Sequence, residues 1–168
     1  MLARPFRSFV GRKVYINMRR HVVAALCCLP LLAGCSRSKD GHYLYASNCG
    51  ICHHGGQGMA GSVPPLVRRI DKIAATPQGR AYLAAVLING VSGPIRADGQ
   101  PYRAEMPPFR YLADTQIATI LSWLSEQGGS APAPAISAAE IATARAHRIG
   151  AGDVAAMRAK LDQTNPLP

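Results

Sequence analysis

Apolar positions are laid out in two different ways along this chain. Residues 22–33 form a continuous apolar run of twelve, Val-Val-Ala-Ala-Leu-Cys-Cys-Leu-Pro-Leu-Leu-Ala. Beyond Cys35 the apolar residues are spaced rather than continuous, and the spacing is helical. Residues 42–53 predict a first helix. Thr76-Pro77, then Ala81-Tyr82-Leu83-Ala84-Ala85-Val86-Leu87-Ile88 and Gly90, read as N-cap, proline at the first helical position, helix body and terminating glycine. Ile117, Ile120, Leu121 and Leu124 form an apolar stripe on a helix from Asp114 to Gln127, which Gly128-Gly129 end. Residues 55–61 are too glycine-rich for a helix and predict a loop. Ser130-Ala131-Pro132-Ala133-Pro134-Ala135 reads as a linker. Residues 136–145 and 149–158 echo one another at an offset of thirteen, and Ser137 and Glu140 have capping-box spacing. Two short helices are expected there, packed on the domain or on a partner. The pattern is all-α.

Composition sharpens this picture in one respect. The 168 residues amount to one domain with an appendage, rich in Gly (16) and Pro (13) and poor in aromatics (6%). A small domain so composed is short of buried apolar surface, and a large apolar cofactor would make up the deficit. The formal charge of +10 is concentrated at the front: six of 19 basic residues precede Cys35 and no acidic residue does. Without that segment 13 Lys and Arg face 9 Asp and Glu. A nucleic-acid partner is therefore not expected, and a mildly basic surface is.

The twelve-residue run follows Arg19, Arg20 and His21, which makes a basic n-region and an h-region of signal-peptide length. It is shorter than the roughly 20 apolar residues that span a bilayer. Met18 is a candidate true start. The flanks of Arg19-Arg20 do not support a twin-arginine signal. The run ends in Leu32-Ala33-Gly34-Cys35, which resembles the lipobox of bacterial lipoproteins. That resemblance implies cleavage after residue 34, lipidation of Cys35, and a short tether over 35–40. Several acyl chains would give stable anchoring. Ser36, in place of an aspartate, leans toward the outer membrane. The domain is expected to face the periplasm.

Cys49-Gly50-Ile51-Cys52-His53 carries the chemistry. Cys-x-x-Cys-His reads as attachment of c-type haem: two thiols add to two vinyl groups, and the adjoining imidazole is carried under the iron. A zinc site would want a second ligand pair, and no cysteine lies downstream. A redox dithiol would want a βαβ context, and none is visible. Cys35, Cys49 and Cys52 each have a candidate task, which leaves no thiol for a structural disulfide.

Residues 41–128 resemble the class I cytochrome c domain. The resemblance rests on Gly41-His42-Tyr43-Leu44-Tyr45-Ala46-Ser47-Asn48-Cys49, then His53, Pro64-Pro65-Leu66, Met106-Pro107-Pro108-Phe109 and the helix ending near Gln127. It implies a few helices wrapped around one covalent haem c, with residues 129–135 as a linker and 136–168 as a helical extension. It implies that Cys49 and Cys52 attach the haem, and that His53 and Met106 are the proximal and distal iron ligands. Pro64 would accept a hydrogen bond from His53. Tyr102 would line the haem or bond a propionate; Arg96 and Arg103 are expected as solvated surface charge, with a propionate partnership as the alternative. Neither Met59 nor Met157 competes well for the distal position. The first and last helices would cross where Gly41 and Tyr45 meet Ile120 and Trp123. His54 stands where the family usually has glycine; it, His42 and His147 are expected at the surface.

The function implied is single-electron transfer in an extracytoplasmic chain, without catalysis and without a small-molecule substrate. Redox partner proteins are expected: a membrane dehydrogenase, oxidase or reductase. Two alternatives remain: a cytochrome subunit of a larger membrane oxidoreductase, and a peroxidase-like haem enzyme or sensor with an open distal site.

Overall fold

Helix α1 (Arg37–Asn48) leads through Cys49 into the single turn α2 (Gly50–His53). The computed structural model describes residues 37–168; the apolar run, Cys35 and Ser36 lie outside the described residues. Helix α1 starts five residues earlier than the apolar spacing indicates. Within the tether expected over 35–40, the chain is helical from Arg37. Asp40 in the first turn favours the earlier start, because its charge opposes the positive end of the helix dipole.

Helix α5 (Asp114–Glu126) crosses α1. At the crossing a Cβ on Gly41 would stand 2.4 Å from Trp123 Cβ, so only hydrogen fits between the helices. The Tyr45 ring packs 5.0 Å from the Trp123 ring, and His42 covers the indole at 5.4 Å. Trp123 is a packing residue at the expected crossing. The stripe of α5 faces inward, with Ile117, Ile120 and Leu121 fully buried. Each such side chain contributes about 1.5–3 kcal/mol by leaving water.

Helix α4 (Pro77–Asn89) has both ends written in sequence. Thr76 Oγ1 accepts the Gly79 amide at 3.0 Å, Pro77 opens the helix, and Gly90 ends it. Ahead of α4 lies α3 (Ile70–Ala74), and after it a hairpin of β1 (Ile95–Ala97) and β2 (Gln100–Tyr102). The strands are antiparallel, with Ile95 opposite Tyr102 and Ala97 opposite Gln100. Asp98 and Gly99 make the turn with φ of +48° and +74°, as the tightest hairpin turns require.

The C-terminal stretch belongs to the same compact unit as the rest of 37–168. Helix α6 (Ala138–Ala146) packs on α4 and α5, and α7 (Ala151–Thr164) packs on α4 and β1. Ile141 and Val154 are fully buried. The capping box forms: the Glu140 amide donates to Ser137 Oγ, and the Ser137 amide to Glu140 Oε2. The Pro/Ala-rich connection is pinned at both ends. Asp71, 1% exposed, accepts hydrogen bonds from the Gly129 and Ser130 amides and the Ser130 hydroxyl. Ser122 Oγ accepts the Ile136 amide and donates to its carbonyl.

Candidate haem site

The site is built first from local chain. Cys49 ends α1, and the turn of α2 brings Cys52 and His53 round beside it. The Cys49 thiol is buried and the Cys52 residue is exposed. Burial, and then the neighbouring Cys52, push the Cys49 thiol up to about 11. The His53 ring is buried; its Nδ1 donates to the Pro64 carbonyl at 3.1 Å. Burial lowers its pKa, outweighing the Pro64 carbonyl, which raises it, while His54 lowers it further. His53 is thus a neutral imidazole with one nitrogen committed and the other, Nε2, free to bind a metal. Pro64 is brought back by the loop over 55–63, which Met59 and Val63 close with a two-way backbone bridge.

Another wall comes from distant chain. The Met106 backbone pairs with Val91: its amide donates to the Val91 carbonyl at 2.9 Å, and the Val91 amide donates back at 3.0 Å. Gly90 makes this approach possible. Its φ is +74°, and a Cβ there would lie 2.4 Å from the Met106 carbonyl oxygen. The Phe109 amide donates to the Leu87 carbonyl, which ties the Met-Pro-Pro-Phe segment to α4.

Between the walls is a cleft of about 1000 Å³, its open mouth included. Cys49, Cys52, His53, Pro64, Tyr102 and Met106 all line it. The rest of the lining is mainly aliphatic and comes from the loop before α3, from α4, α5 and the hairpin, including Leu66, Leu83, Leu87, Ile95 and Leu121. Among the described residues no three His, Cys, Asp or Glu side chains gather as a site for a bare metal ion.

A family model described as cytochrome c oxidase, cbb3-type, subunit III, matches residues 36–124. Two curated relatives from Thermus thermophilus, both named cytochrome c-552, are 34% identical to the chain. One alignment covers 86% of this chain and 98% of the relative, the other 73% and 96%. The chain belongs to the cytochrome c family. It is a c-type cytochrome of all-α fold whose cofactor is covalent haem c with its iron, and electron transfer is the activity that goes with it. The broader alignment covers more than the residues up to Leu124 can supply, so the likeness runs on into the C-terminal stretch.

The residues present fit haem c. The cleft is walled with apolar side chains, and two free thiols, a neutral imidazole and a thioether open onto it. Of the other candidates, Arg96 and Arg103 are exposed, and Arg96 bonds the Gly99 carbonyl of its own turn. Met59 is about half exposed on the loop, and Met157 sits on α7. His42, His54 and His147 are exposed.

Sequence reasoning missed two buried arginines, Arg69 and Arg158, which are 4% and 3% exposed. Arg69 donates to the Pro65 carbonyl and pairs with Asp98 at 3.5 Å. Arg158 donates to the Arg96 carbonyl and lies over the Tyr82 ring. Among the described residues the Nε of each has no hydrogen-bond partner. Burial, and then the charge of Arg158, lower the Arg69 pKa, while Asp98 and Tyr102 act the other way. Nothing in the local pattern separates these arginines from solvated ones, because their burial comes from chain remote in sequence.

Proposed function

We propose that the protein is a membrane-anchored electron carrier facing the periplasm, with one haem c held by Cys49 and Cys52 and ligated by His53 and Met106. The observation that carries this reading is the convergence of those four side chains on one apolar cleft. When bound, haem c supplies a reversible one-electron change at iron. The chain's own residues set the conditions for it. The Pro64 carbonyl holds the His53 ring and fixes its tautomer, so that Nε2 is the ligating nitrogen. Met106 would supply a soft sulfur ligand, which would raise the reduction potential and keep other ligands out. The aliphatic walls would offer bound haem an apolar setting. Tyr102, which lines the cleft within electrostatic reach of the buried Arg69, would line the haem or bond a propionate. Ile51, 86% exposed between the two cysteines, marks an edge where a partner can approach.

Cys35 supplies the anchor through its lipobox, and Ser36 favours the outer membrane. No described helix is long and apolar enough to cross a membrane. Redox partners are a membrane dehydrogenase, oxidase or reductase, and no small-molecule substrate is needed. The description of the matching family model favours a second reading, a fixed subunit of a larger membrane oxidoreductase. Native purification separates the two: a carrier comes away alone after detergent extraction, a subunit with its complex. Potentiometric titration should follow a single one-electron step. Cys35→Ala should keep its haem and either leave the membrane fraction or stay unprocessed. Normal processing with retention through a high-salt wash would rule out the lipid anchor.

A further inference from the structure

The segment that carries Met106 has little regular structure between β2 and α5. Its carbonyls at Arg110 and Leu112 therefore have no helix or sheet ladder to join. Both are met from the C-terminal extension. Arg145 on α6 donates through Nη1 to the Arg110 carbonyl at 2.9 Å and through Nη2 to the Leu112 carbonyl at 2.8 Å. Its Nε pairs at 2.7 Å with Asp114 Oδ1, in the first turn of α5. One guanidinium thus ties three points of the chain within nine residues of Met106.

The strand partner of Met106 is held from the same extension. The Val91 backbone pairs with Met106, and the next residue, Ser92, donates its amide to the Ala151 carbonyl of α7 at 3.1 Å. One residue before Gly90, the buried Asn89 accepts the Ile149 amide at 3.3 Å while its Nδ2 donates to the Ala85 carbonyl. Met106 is therefore bracketed on both sides by bonds to residues 145–151. The extension has polar contacts elsewhere too, Glu140 with Arg80 and Arg158 with the Arg96 carbonyl, but those of Arg145, Ile149 and Ala151 fall on the two stretches that aim this methionine.

We infer that the C-terminal extension is a positioning device for Met106, with Arg145 as its main clasp, and that it sets how firmly the sixth iron position stays closed. This rests on the reading of Met106 as the distal ligand. Arg145 acts through the backbone it holds and is not among the residues that line the cleft. Three acceptors spread around one planar fork suit arginine; lysine offers a single point charge and satisfies them incompletely.

The test uses the ferric holoprotein. Wild type, Arg145→Gln, Arg145→Lys and Arg80→Gln are compared by imidazole titration, by the sulfur-to-iron charge-transfer band, and by guanidinium unfolding. Arg80→Gln is the control, because Arg80 pairs with Glu140 at 2.7 Å and so ties α4 to α6 away from the Met106 segment. Loss of charged hydrogen bonds of this kind should make imidazole bind about tenfold more tightly to Arg145→Gln. Arg145→Lys should fall between it and wild type, and should fold even if the glutamine variant does not. Arg80→Gln should lose stability without any change in imidazole binding. Equal imidazole affinity in wild type and both Arg145 variants would overturn the inference and leave Met106 as ligand intact. A shift in Arg80→Gln that matches Arg145→Gln would also overturn it, by making the effect one of general stability. Wild-type protein without the charge-transfer band would instead sink the ligand reading itself.

Discussion

The two walls of the cleft are made in different ways. The proximal wall is local. Cys49, Cys52 and His53 lie within one turn, and the carbonyl that orients the imidazole is eleven residues away. The distal wall is assembled from a distance: Met106 depends on Val91, Gly90 and α4, and behind them on Arg145 and Ala151. A local wall survives much of what loosens the fold, because its spacing is set by the bonds of a short chain. A remote wall responds to every element that props it. Attachment and ligand closure should therefore fail separately.

The largest effect belongs to the proximal wall. Replacing Cys49 and Cys52 together with alanine should abolish covalent haem, read as complete loss of haem on acidified-acetone extraction. Haem that survived that treatment in the double variant would place the attachment elsewhere. The next largest belongs to the distal wall. Gly90→Ala would combine a φ of +74° with a Cβ 2.4 Å from the Met106 carbonyl, at a cost of about 1–3 kcal/mol. It should keep its covalent haem, yet admit external ligands. Gly55→Ala on the proximal loop, where an added Cβ meets nothing within 4 Å among the described residues, should change neither. If both variants opened the iron alike, the contrast between the walls would be false.

Asp71 probes the link between the core and the extension. Burial raises its pKa, but the hydrogen bonds from Ser130, Gly129 and the Lys72 amide outweigh that and hold it below the ordinary value of 3.8. A depressed carboxylate contributes stability that is full above its unfolded pKa and is lost as pH falls through the folded one. Asp71→Asn should therefore cost about 1–3 kcal/mol at neutral pH. The gap from wild type in guanidinium unfolding should narrow as pH drops below about 4. A gap that widened in acid would contradict the assignment. The smallest effect is again proximal. His54 closes α2 with φ of +51° and ψ of −138°, a region costly for any residue with a Cβ. His54→Gly should raise stability by about 0.5 kcal/mol, the strain relieved being partly offset by the freer unfolded glycine.

The same contrast governs what could be read from the sequence. The ends of α4 were legible because Thr76, Pro77 and Gly90 act within a few residues of themselves. So was the Ser137–Glu140 cap of α6. The attachment motif is local too, which is why Cys49, Cys52 and His53 stood out. Resemblance to the family supplied what pattern alone did not: Pro64 as the partner of His53, and the α1–α5 crossing at Gly41 and Trp123. The hairpin of β1 and β2 went unread although Asp98-Gly99 is a strong turn signal, because three-residue strands leave no alternation to detect. Arg69, Arg158 and Arg145 were illegible for a different reason. Their environments are made by chain remote in sequence, and an arginine in sequence carries no mark of the carbonyls it will meet. The extension looked like an appendage behind a linker because Ala-rich helices show little amphipathic pattern. Its packing relies on a few residues, chiefly Ile141 and Val154.

The central claim is that both walls hold the iron, His53 from one side and Met106 from the other, so that electrons pass and ligands do not. Spectroscopy of the purified wild-type protein tests it most directly, with Met106→Ala alongside. The ferric protein should be low-spin with the sulfur-to-iron charge-transfer band, and the ferrous protein should resist carbon monoxide. Met106→Ala should lose the band, bind carbon monoxide and titrate at a lower potential. A high-spin wild-type spectrum with ready carbon monoxide binding would contradict the account and make the open-site enzyme or sensor the better reading.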